Sequence, residues 1–301
     1  MMNDVRCTLC GCANVEGIDS AIRNADNDKY KMYKCSCCET HFLYPRPDGE
    51  QLEEYYDGQF RSEVHSGTYY DKARIDGMYN WYTPEANARV ERVKNELSKD
   101  DVVLEIGCSV GYFMGAVSPY VKAVYGTEWD IKAGQYVKDR FPKFNIGVNP
   151  QDFGIKFDKI FMFHVLEHVE EPVEFLKGLK ELLKPGGVIY VEVPNADDVL
   201  VKTYKCKAFM RHYYKLAHIY NFNYKGIEYI LDNAKLDGEI SYIQRYDLSN
   251  HMVWLGQGVP GGNKKYLEVL GEEANMAYVR ALEASKQTDT LFIRIRRGTN
   301  E

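Results

Sequence analysis

From residue 101 onward the chain alternates short apolar segments with amphipathic ones, and this alternation limits the possible folds more than any other feature. The segments predicted as strands are VVLEI (102–106), AVYGTE (123–128), a stretch around 144–148, KIFMF (159–163) and VIYVEV (188–193). Helical patterns fall between them, at 111–120, 131–141 and 172–183. Such spacing is typical of parallel strands joined by helices. We therefore predict a doubly wound α/β sheet within residues 100–301, closed by strands at 240–246 and 290–297.

The composition limits the classes of partner. Hydrophobic residues make up 45% of the chain and charged residues 27%, which are ordinary values for a soluble globular protein. A net charge of −6 argues against a broad phosphate-binding surface, so no nucleic-acid partner is expected. The short basic cluster Arg294–Arg297 includes Ile295 in alternation, which favours an edge strand over a nucleic-acid patch.

No segment of the sequence predicts export or membrane insertion. The first residues, MMNDVRCTLCGC, lack the apolar run of a signal peptide. No later stretch approaches the roughly 18 apolar residues of a membrane span. We therefore expect a cytoplasmic protein. In a reducing compartment, clustered cysteines hold a metal more often than they form disulfides.

Six of the eight cysteines lie before residue 40 and predict a zinc site. Cys7 and Cys10 form one CxxC pair, and Cys35 and Cys38 form a second. Each pair places two thiolates on one turn, and two such turns complete a tetrahedral zinc shell. We predict a structural zinc ribbon over residues 1–45. Cys12 and Cys37 receive no role from the spacing.

Residues 46–99 are predicted to be a helical lid or linker, with an amphipathic helix over 85–97. This segment carries many aromatic residues, and tyrosines cluster again at 213–224. Tyrosines suit stacking on sugar rings, although packing in a core is the commoner explanation for most of them.

The turn after the first strand of the predicted α/β sheet is a candidate cofactor site. It contains Glu105, Gly107 and Gly111 in the pattern E-x-G-x-x-x-G, whereas the dinucleotide pattern G-x-G-x-x-G is absent. Glu128 ends the second strand, where a carboxylate can accept hydrogen bonds from ribose hydroxyls. The pair Asp152-Phe153 follows the third strand, where it could hold an adenine.

Together these motifs resemble class I S-adenosylmethionine-dependent methyltransferases, over about residues 100–250. VLEIGCSVGYF, GTEWD, FHVLEHV and LLKPGG each resemble a motif of that family. The CxxC…CxxC ribbon, YPRP and LEEYY resemble bacterial methyltransferases of nucleotide-sugar and surface-glycan pathways.

The resemblance implies a Rossmann-like methyltransferase sheet with S-adenosylmethionine as cofactor. Glu105 and Gly107 would contact its amino-acid end, Glu128 its ribose and Asp152 its adenine. The residues of the implied cofactor site are Glu105, Gly107, Cys108, Gly111, Glu128, Asp152, Phe153 and His164.

The segment HVLEH contains candidate catalytic residues at the end of the fourth strand. If the chain turns helical after Phe163, His164, Glu167 and His168 share one face. Three roles remain open for them: a base that deprotonates a substrate hydroxyl, a divalent-metal site, or local structural bonds. Some metal-dependent O-methyltransferases of the fold carry E-x-x-E-H here.

His218 is a second candidate base. Related sugar methyltransferases often carry E-H at the corresponding position, whereas Ala217 stands here in place of the glutamate. This departure favours O-methylation, because methylation at carbon needs a stronger base. We expect catalysis from His168, Glu167 and His218, with a small-molecule or glycan acceptor. The alternatives are an RNA guanine methyltransferase with a zinc ribbon and a non-catalytic interaction protein.

Overall fold

The computed structural model describes residues 5–54 and 72–297, whose strands form two sheets. The strands are β1 (Val15–Ile18), β2 (Lys31–Cys35), β3 (His41–Tyr44), β4 (Val102–Ile106), β5 (Ala123–Thr127), β6 (Asn145–Gly147), β7 (Phe157–Phe163), β8 (Leu183–Pro194), β9 (Tyr220–Asn221), β10 (Asp237–Ile243) and β11 (Thr290–Arg296). The helices are α1 (Gly49–Glu54), α2 (Lys72–Val93), α3 (Tyr112–Val117), α4 (Ile131–Arg140), α5 (Pro172–Glu181), α6 (Val199–Lys202), α7 (Lys207–Tyr213), α8 (Tyr224–Ala234), α9 (Leu248–Gln257), α10 (Leu267–Leu270) and α11 (Glu272–Ser285).

The larger sheet has the strand order β10-β11-β8-β7-β4-β5-β6. Strands β6, β5, β4, β7 and β8 run parallel, and β11 and β10 are antiparallel additions. This arrangement confirms the predicted α/β fold with a mostly parallel, Rossmann-like sheet. Because the central strands are parallel, β4, β5 and β7 all end at one edge of the sheet.

Both faces of this sheet are buried, which explains why its strands are continuous apolar runs rather than alternating ones. Leu104 and Ile160 point into one hydrophobic cluster, together with residues of α5 and α8. Val103 and Phe161 point into the other, together with residues of α2 and α3. The side chains therefore alternate between two apolar layers. None of the described helices is long and apolar enough to cross a bilayer.

The structure corrects one local prediction. The basic strand β11 is not at the edge, because it pairs with β8 on one side and β10 on the other. Residues 184–187 lie inside β8, where the register jumps between Leu183 and Val188 and Gly186 has a φ of +76°. Gly271, whose ψ of 151° is extended, separates α10 from α11.

The smaller sheet has the order β1-β2-β3-β9 and joins the N-terminal region to the rest of the chain. Its strands β1, β2 and β3 form a meander that carries the cysteines on its turns. Its fourth strand, β9, comes from much later in the chain and pairs with β3 through His41 and Phe42. The N-terminal sheet is therefore completed by a segment that follows β8.

Helix α2 is longer than the predicted amphipathic helix and packs against α3 through Ala86 and Val90, which are buried with Phe113 and Val117. It continues into a short 3₁₀ turn, Lys94–Glu96. Residues 55–71 lie outside the described part of the chain. They include Tyr55, Tyr56, Tyr69 and Tyr70 of the predicted lid.

Candidate active site

The turn between β4 and α3 has a backbone that favours glycine at both ends. Gly107 has a φ of +69°, and a Cβ atom there would lie 2.8 Å from Cγ2 of Val165. Gly111 caps the start of α3 with a φ of +77°, and a Cβ atom there would lie 3.1 Å from Cγ2 of Val137. A side chain at either position would add strain and steric conflict. The turn therefore presents bare backbone at the carboxyl end of β4.

Glu128 is held against this turn. Its Oε2 accepts a hydrogen bond from the Ser109 amide at 2.7 Å, and its Oε1 accepts one from the Asp130 amide at 2.9 Å. Burial raises the pKa of the Glu128 carboxyl, and these amide donors oppose that rise. A carboxylate has about four acceptor positions, so two bonds leave capacity for ligand hydroxyls. Beside it, the Trp129 side chain is 78% exposed.

Glu105 is a buried carboxyl group with an unused acceptor. Its residue is 4% exposed, and its Oε2 accepts no hydrogen bond from the described residues. Burial raises the pKa of Glu105 well above its usual value, against the opposing charge of Arg89. A buried acceptor without a donor is costly, by about 1–3 kcal/mol. A bound ligand with a cationic amino group would remove this cost, and the site fits the amino-acid end of S-adenosylmethionine in this respect.

The other residues of the predicted cofactor site have different surroundings. Cys108 is buried, and its Sγ lies beneath β5, where it would contact any Cβ atom at Gly126. Asp152 is exposed on the 3₁₀ turn Pro150–Phe153. The ring of Phe153 packs edge-to-face on Tyr125, with ring centroids 5.1 Å apart. Phe153 thus belongs to the packing of the sheet, whereas the Asp152 carboxylate remains accessible.

The HVLEH segment does not turn helical directly after Phe163, so His164, Glu167 and His168 do not share one helical face. His164 has a φ of +57°, and only Leu166–His168 form a 3₁₀ turn. The left-handed residue turns the chain, and His164 and His168 consequently lie in different surroundings. Nε2 of His164 lies 2.8 Å from Nη1 of Arg245, and its Nδ1 lies 3.4 Å from Oε1 of Glu167.

His164 adjoins a buried ionic network that no sequence motif predicts. At its centre is Glu192 of β8, which is 0% exposed. Oε1 of Glu192 accepts hydrogen bonds from Nη2 and Nε of Arg89 at 2.7 and 3.2 Å, and Oε2 accepts one from Arg92 at 3.3 Å. Burial opposes ionisation, but His164, Arg89 and Arg245 hold the pKa of Glu192 well below its usual range. The signal in the sequence was a lone charged residue within the apolar run VIYVEV.

His168 lies instead beside His218, on the side of the segment that faces β9. The two rings meet edge-to-face with centroids 4.9 Å apart. Nδ1 of His168 lies 2.8 Å from the Ala217 carbonyl oxygen, so Nδ1 carries the proton and the lone pair is on Nε2. Burial lowers the pKa of His168, and it lowers that of His218 well below the usual value. Burial therefore favours the neutral form of both imidazoles.

Glu167 lies fully buried between these two histidines and His164. Neither of its carboxylate oxygens accepts a hydrogen bond from the described residues. Burial raises the pKa of the carboxyl, but His164 and His168 outweigh it and hold the pKa below the usual value. Ligand atoms of Glu167, His168 and His218 lie within 4.8 Å of one another. The structure thus brings together the three predicted catalytic residues, and Glu167 also contacts His164 at 3.4 Å.

The four cysteines of the predicted zinc site converge in the smaller sheet. Their sulfur atoms lie within 4.8 Å of one another, with Cys7 to Cys38 at 3.7 Å and Cys10 to Cys35 at 3.5 Å. Zinc–sulfur bonds of about 2.3 Å at tetrahedral angles place thiolates about 3.8 Å apart, so the set fits zinc. The two cysteines without an assigned role, Cys12 and Cys37, are joined by a disulfide bond.

Comparison with known proteins agrees with this geometry. Residues 79–238, which are 160 of the 301 residues, match a family described as a methyltransferase domain. A probable S-adenosylmethionine-dependent methyltransferase of Mycolicibacterium smegmatis is 30% identical over 97 residues, 31% of this chain and 38% of that protein. A tRNA U34 carboxymethyltransferase of Campylobacter fetus is 29% identical over 133 residues, 40% of this chain and 45% of that protein. The chain thus spans less than half the length of these curated relatives.

Solved structures share the fold at low sequence identity. One is a chain of the complex that the Haloferax volcanii Trm112 methyltransferase activator forms with a methyltransferase. It is 16% identical with a TM-score of 0.51, and the match covers 75% of this chain and 95% of that one. A SAM-dependent methyltransferase from Archaeoglobus fulgidus is 17% identical with a TM-score of 0.49, covering 81% and 100%. Because the family match spans more than half of the chain, the protein belongs to the methyltransferase-domain family, in its S-adenosylmethionine-dependent class.

Proposed function

We propose that the protein transfers a methyl group from S-adenosylmethionine to a hydroxyl oxygen of a small-molecule or glycan acceptor. The observation that carries this proposal is that the candidate cofactor-binding residues and a candidate base follow neighbouring parallel strands at one edge of the sheet. Glu105, the Gly107 turn and Glu128 follow β4 and β5, and His168 follows β7, the neighbour of β4. In open α/β sheets, ligands bind at this edge.

Each cofactor contact in the proposal has support in this chain. The unsatisfied Oε2 of Glu105 is an acceptor for an amino group, and Gly107 lets a ligand approach the backbone closely. Glu128 has remaining acceptor positions for ribose hydroxyls, and the exposed Asp152 can bind the adenine amine. When bound, S-adenosylmethionine supplies an electrophilic methyl carbon on a sulfonium.

On the acceptor side, the hydroxyl must lose a proton as its oxygen forms the new bond to carbon. Bound S-adenosylmethionine would supply the methyl carbon, and its sulfur would take the electron pair of the carbon–sulfur bond. His168 lies in the segment after β7, and its ring meets that of His218, so the two imidazoles together offer lone pairs, with burial favouring their neutral forms. We assign activation of the hydroxyl to this pair, with His168 in first place because it lies in the segment that follows β7. Position and orientation supply the rest of the rate enhancement.

The proposed acceptor class comes from the resemblance of the N-terminal region to methyltransferases of sugar and glycan pathways. The tyrosines at 213–224 contribute little to it, since Tyr213, Tyr214 and Tyr220 are buried. We further propose that residues 1–45 are a zinc ribbon, that 46–99 form a lid or linker, and that 100–301 are the methyltransferase domain. Support for the ribbon is the convergence of Cys7, Cys10, Cys35 and Cys38.

The test is a screen of nucleotide sugars and simple glycosides with S-adenosylmethionine, read by mass for methylated acceptor and for S-adenosylhomocysteine. We expect one acceptor class to gain a methyl group on oxygen. His168→Ala should bind the cofactor as the unmodified protein does, yet lose about two to four decades of turnover. His251→Ala is the matched control, because His251 is also a buried histidine but bonds to Tyr278 on α11. Equal turnover in His168→Ala and His251→Ala would contradict the role of His168.

RNA is the second candidate acceptor, and relatives named tRNA U34 carboxymethyltransferases favour it. The net charge of −6 disfavours it. Electrostatic binding to phosphates weakens steeply with salt. Binding of tRNA that is tight at low salt and falls by decades at higher salt, with transfer of the methyl group to the RNA, would replace the glycan proposal.

A further inference from the structure

The cysteines of the N-terminal sheet connect the same two turns of the chain in two different ways. Each turn contributes two of the four sulfur atoms whose spacing fits zinc. Each turn also carries one further cysteine, and these two, Cys12 and Cys37, are joined by a disulfide bond. The zinc ligands and the disulfide are therefore parallel cross-links between the first turn, which contains Cys7 and Cys10, and the second, which contains Cys35 and Cys38.

Hydrogen bonds attach each disulfide cysteine to the zinc ligands of its own turn. The Cys7 amide donates to the Cys12 carbonyl oxygen at 2.9 Å in the first turn. In the second turn, the Cys37 amide donates to Sγ of Cys35 at 3.3 Å. Because of these bonds, joining Cys12 to Cys37 also holds the zinc ligands of the two turns close together. The disulfide thus preorganises the thiolates for a metal ion.

The disulfide is more accessible than most of the zinc ligands. Cys37 is exposed and Cys12 is half-buried, whereas Cys7, Cys35 and Cys38 are buried. A groove of about 560 Å³ opens beside the bond, between the two turns and α8. Exposed disulfides are the labile and regulatory ones, because an attacking thiolate reaches their sulfur atoms. Among the six N-terminal cysteines, only this pair can be oxidised and reduced while all four zinc ligands stay in place.

We propose that Cys12 and Cys37 are a reversible thiol–disulfide site that a dithiol reductant opens, and that the state of this site sets how tightly the two turns hold zinc. A thiolate of the reductant attacks Sγ of Cys37, the sulfur–sulfur bond of the chain breaks, and Cys12 leaves as a thiolate. The second thiol of the reductant then displaces Cys37 from the mixed disulfide. The reductant is oxidised to its own disulfide, and the chain gains two electrons and two protons.

Zinc and the disulfide stabilise each other, because each orders the two turns for the other. Cys12 and Cys37 are 25 residues apart, and the closed bond removes much of the freedom of that loop before zinc binds. We expect the disulfide form to bind zinc about tenfold more tightly than the reduced form. Linkage is reciprocal, so bound zinc must favour the disulfide by the same factor. This coupling rests on the zinc ribbon of the proposed function and is independent of the acceptor.

The test compares full-length protein purified without reductant with the same protein treated with dithiothreitol and desalted in the absence of oxygen. Alkylation in denaturant and chelator, read by mass, should find six free cysteines before treatment and all eight after it. Competition with a chromophoric chelator should show zinc affinity about tenfold weaker after reduction. Titration in dithiothreitol redox buffers should give a reduction potential about 30 mV lower with zinc bound, which is the same factor for a two-electron couple.

The double variant Cys12→Ser, Cys37→Ser should bind zinc as the reduced protein does and should not respond to dithiothreitol. Cys206→Ser is the matched control, because it removes a free cysteine outside the two turns and should keep the response. Eight free thiols before treatment, or equal zinc affinity in both forms of the unmodified protein, would overturn the proposal without relying on any variant. A chain that binds no zinc in either form would overturn it together with the ribbon, and thiol counting separates that result from absence of the disulfide.

Discussion

Nη1 of Arg245 lies 2.8 Å from Nε2 of His164. The same Nε2 lies 3.3 Å from Oε1 of Glu192, and Nδ1 of His164 lies 3.4 Å from Oε1 of Glu167. Arg245 also lies 2.8 Å from Glu85 and 3.6 Å from both Glu192 and Asp289. The arginine thus contacts His164 and offsets the charge of buried carboxylates at the same time.

We therefore expect Arg245→Ala to destabilise the protein by about 3 kcal/mol, because removing one partner of a buried ion pair leaves uncompensated charge. Urea unfolding measured by circular dichroism gives this free energy. Arg296→Ala is the control, since Arg296 is 57% exposed in its pair with Glu96 and should change the unfolding little. Similar unfolding midpoints in the two variants would show that the buried network contributes little.

The glycine turn provides the second prediction. Gly107→Val should abolish S-adenosylmethionine binding, because the new side chain meets Val165 at a backbone φ of +69° and fills the ligand's approach. Calorimetry with the cofactor measures the loss. Gly178→Ala is the matched control, as a Cβ atom there meets nothing within 4 Å on α5. Retained affinity in folded Gly107→Val would place the cofactor elsewhere.

Glu128→Ala should weaken S-adenosylmethionine binding by about 1–3 kcal/mol, the usual loss for charge-assisted hydrogen bonds. The same change removes acceptors from the Ser109 and Asp130 amides, so part of the loss comes from the turn itself. Adenosine, which lacks the methionine portion, should lose affinity to a similar extent, since the contact is with ribose. If adenosine binds equally well to both proteins, Glu128 does not bind the ribose.

The buried carboxyl group of Glu105 leads us to expect that cofactor binding is coupled to the release of a proton. Burial raises its pKa in the free protein, so the free protein holds this proton above the pH at which an exposed glutamate releases it. A bound ammonium group favours the ionised carboxylate and lowers the pKa again. Binding should therefore release protons and strengthen as pH rises between those two pKa values.

Calorimetry in buffers of different ionisation enthalpy counts these protons. Glu105→Gln is the control variant and should release none from this site. Proton release that is the same in Glu105→Gln and in the unmodified protein would assign the linkage to another group.

For the cysteine site, we expect one zinc ion bound by Cys7, Cys10, Cys35 and Cys38. Cys35→Ser should lose it and loosen residues 5–45 of the smaller sheet, because metal binding at such sites is coupled to folding. Elemental analysis and hydrogen exchange measure the two effects. Cys206→Ser, at a cysteine on the loop before α7, should change neither. Absence of zinc from the unmodified protein would contradict the prediction.

The sequence by itself determined the features that depend on neighbouring residues, namely the strands, the turns after them and the cysteine pairs. Strand β4 occupies the predicted residues 102–106, and the parallel order of strands follows from the spacing of apolar runs. The glycine turn, Glu105 and Glu128 were recognisable because neighbouring motifs lie at strand ends, and all parallel strands end at one edge. The two CxxC pairs could also be recognised from the sequence, because each pair lies on a single turn.

Only the tertiary structure decided which distant residues meet. The left-handed backbone of His164 separated it from His168 and turned it toward Arg245, which lies 81 residues away. His218 reached Glu167 because the segment before β9 folds back to complete the N-terminal sheet. The burial of Glu192 and its arginine partners likewise arose from the packing of α2 on β8. Sequence patterns report periodicity along the chain, whereas charge pairing and metal geometry depend on distances across it.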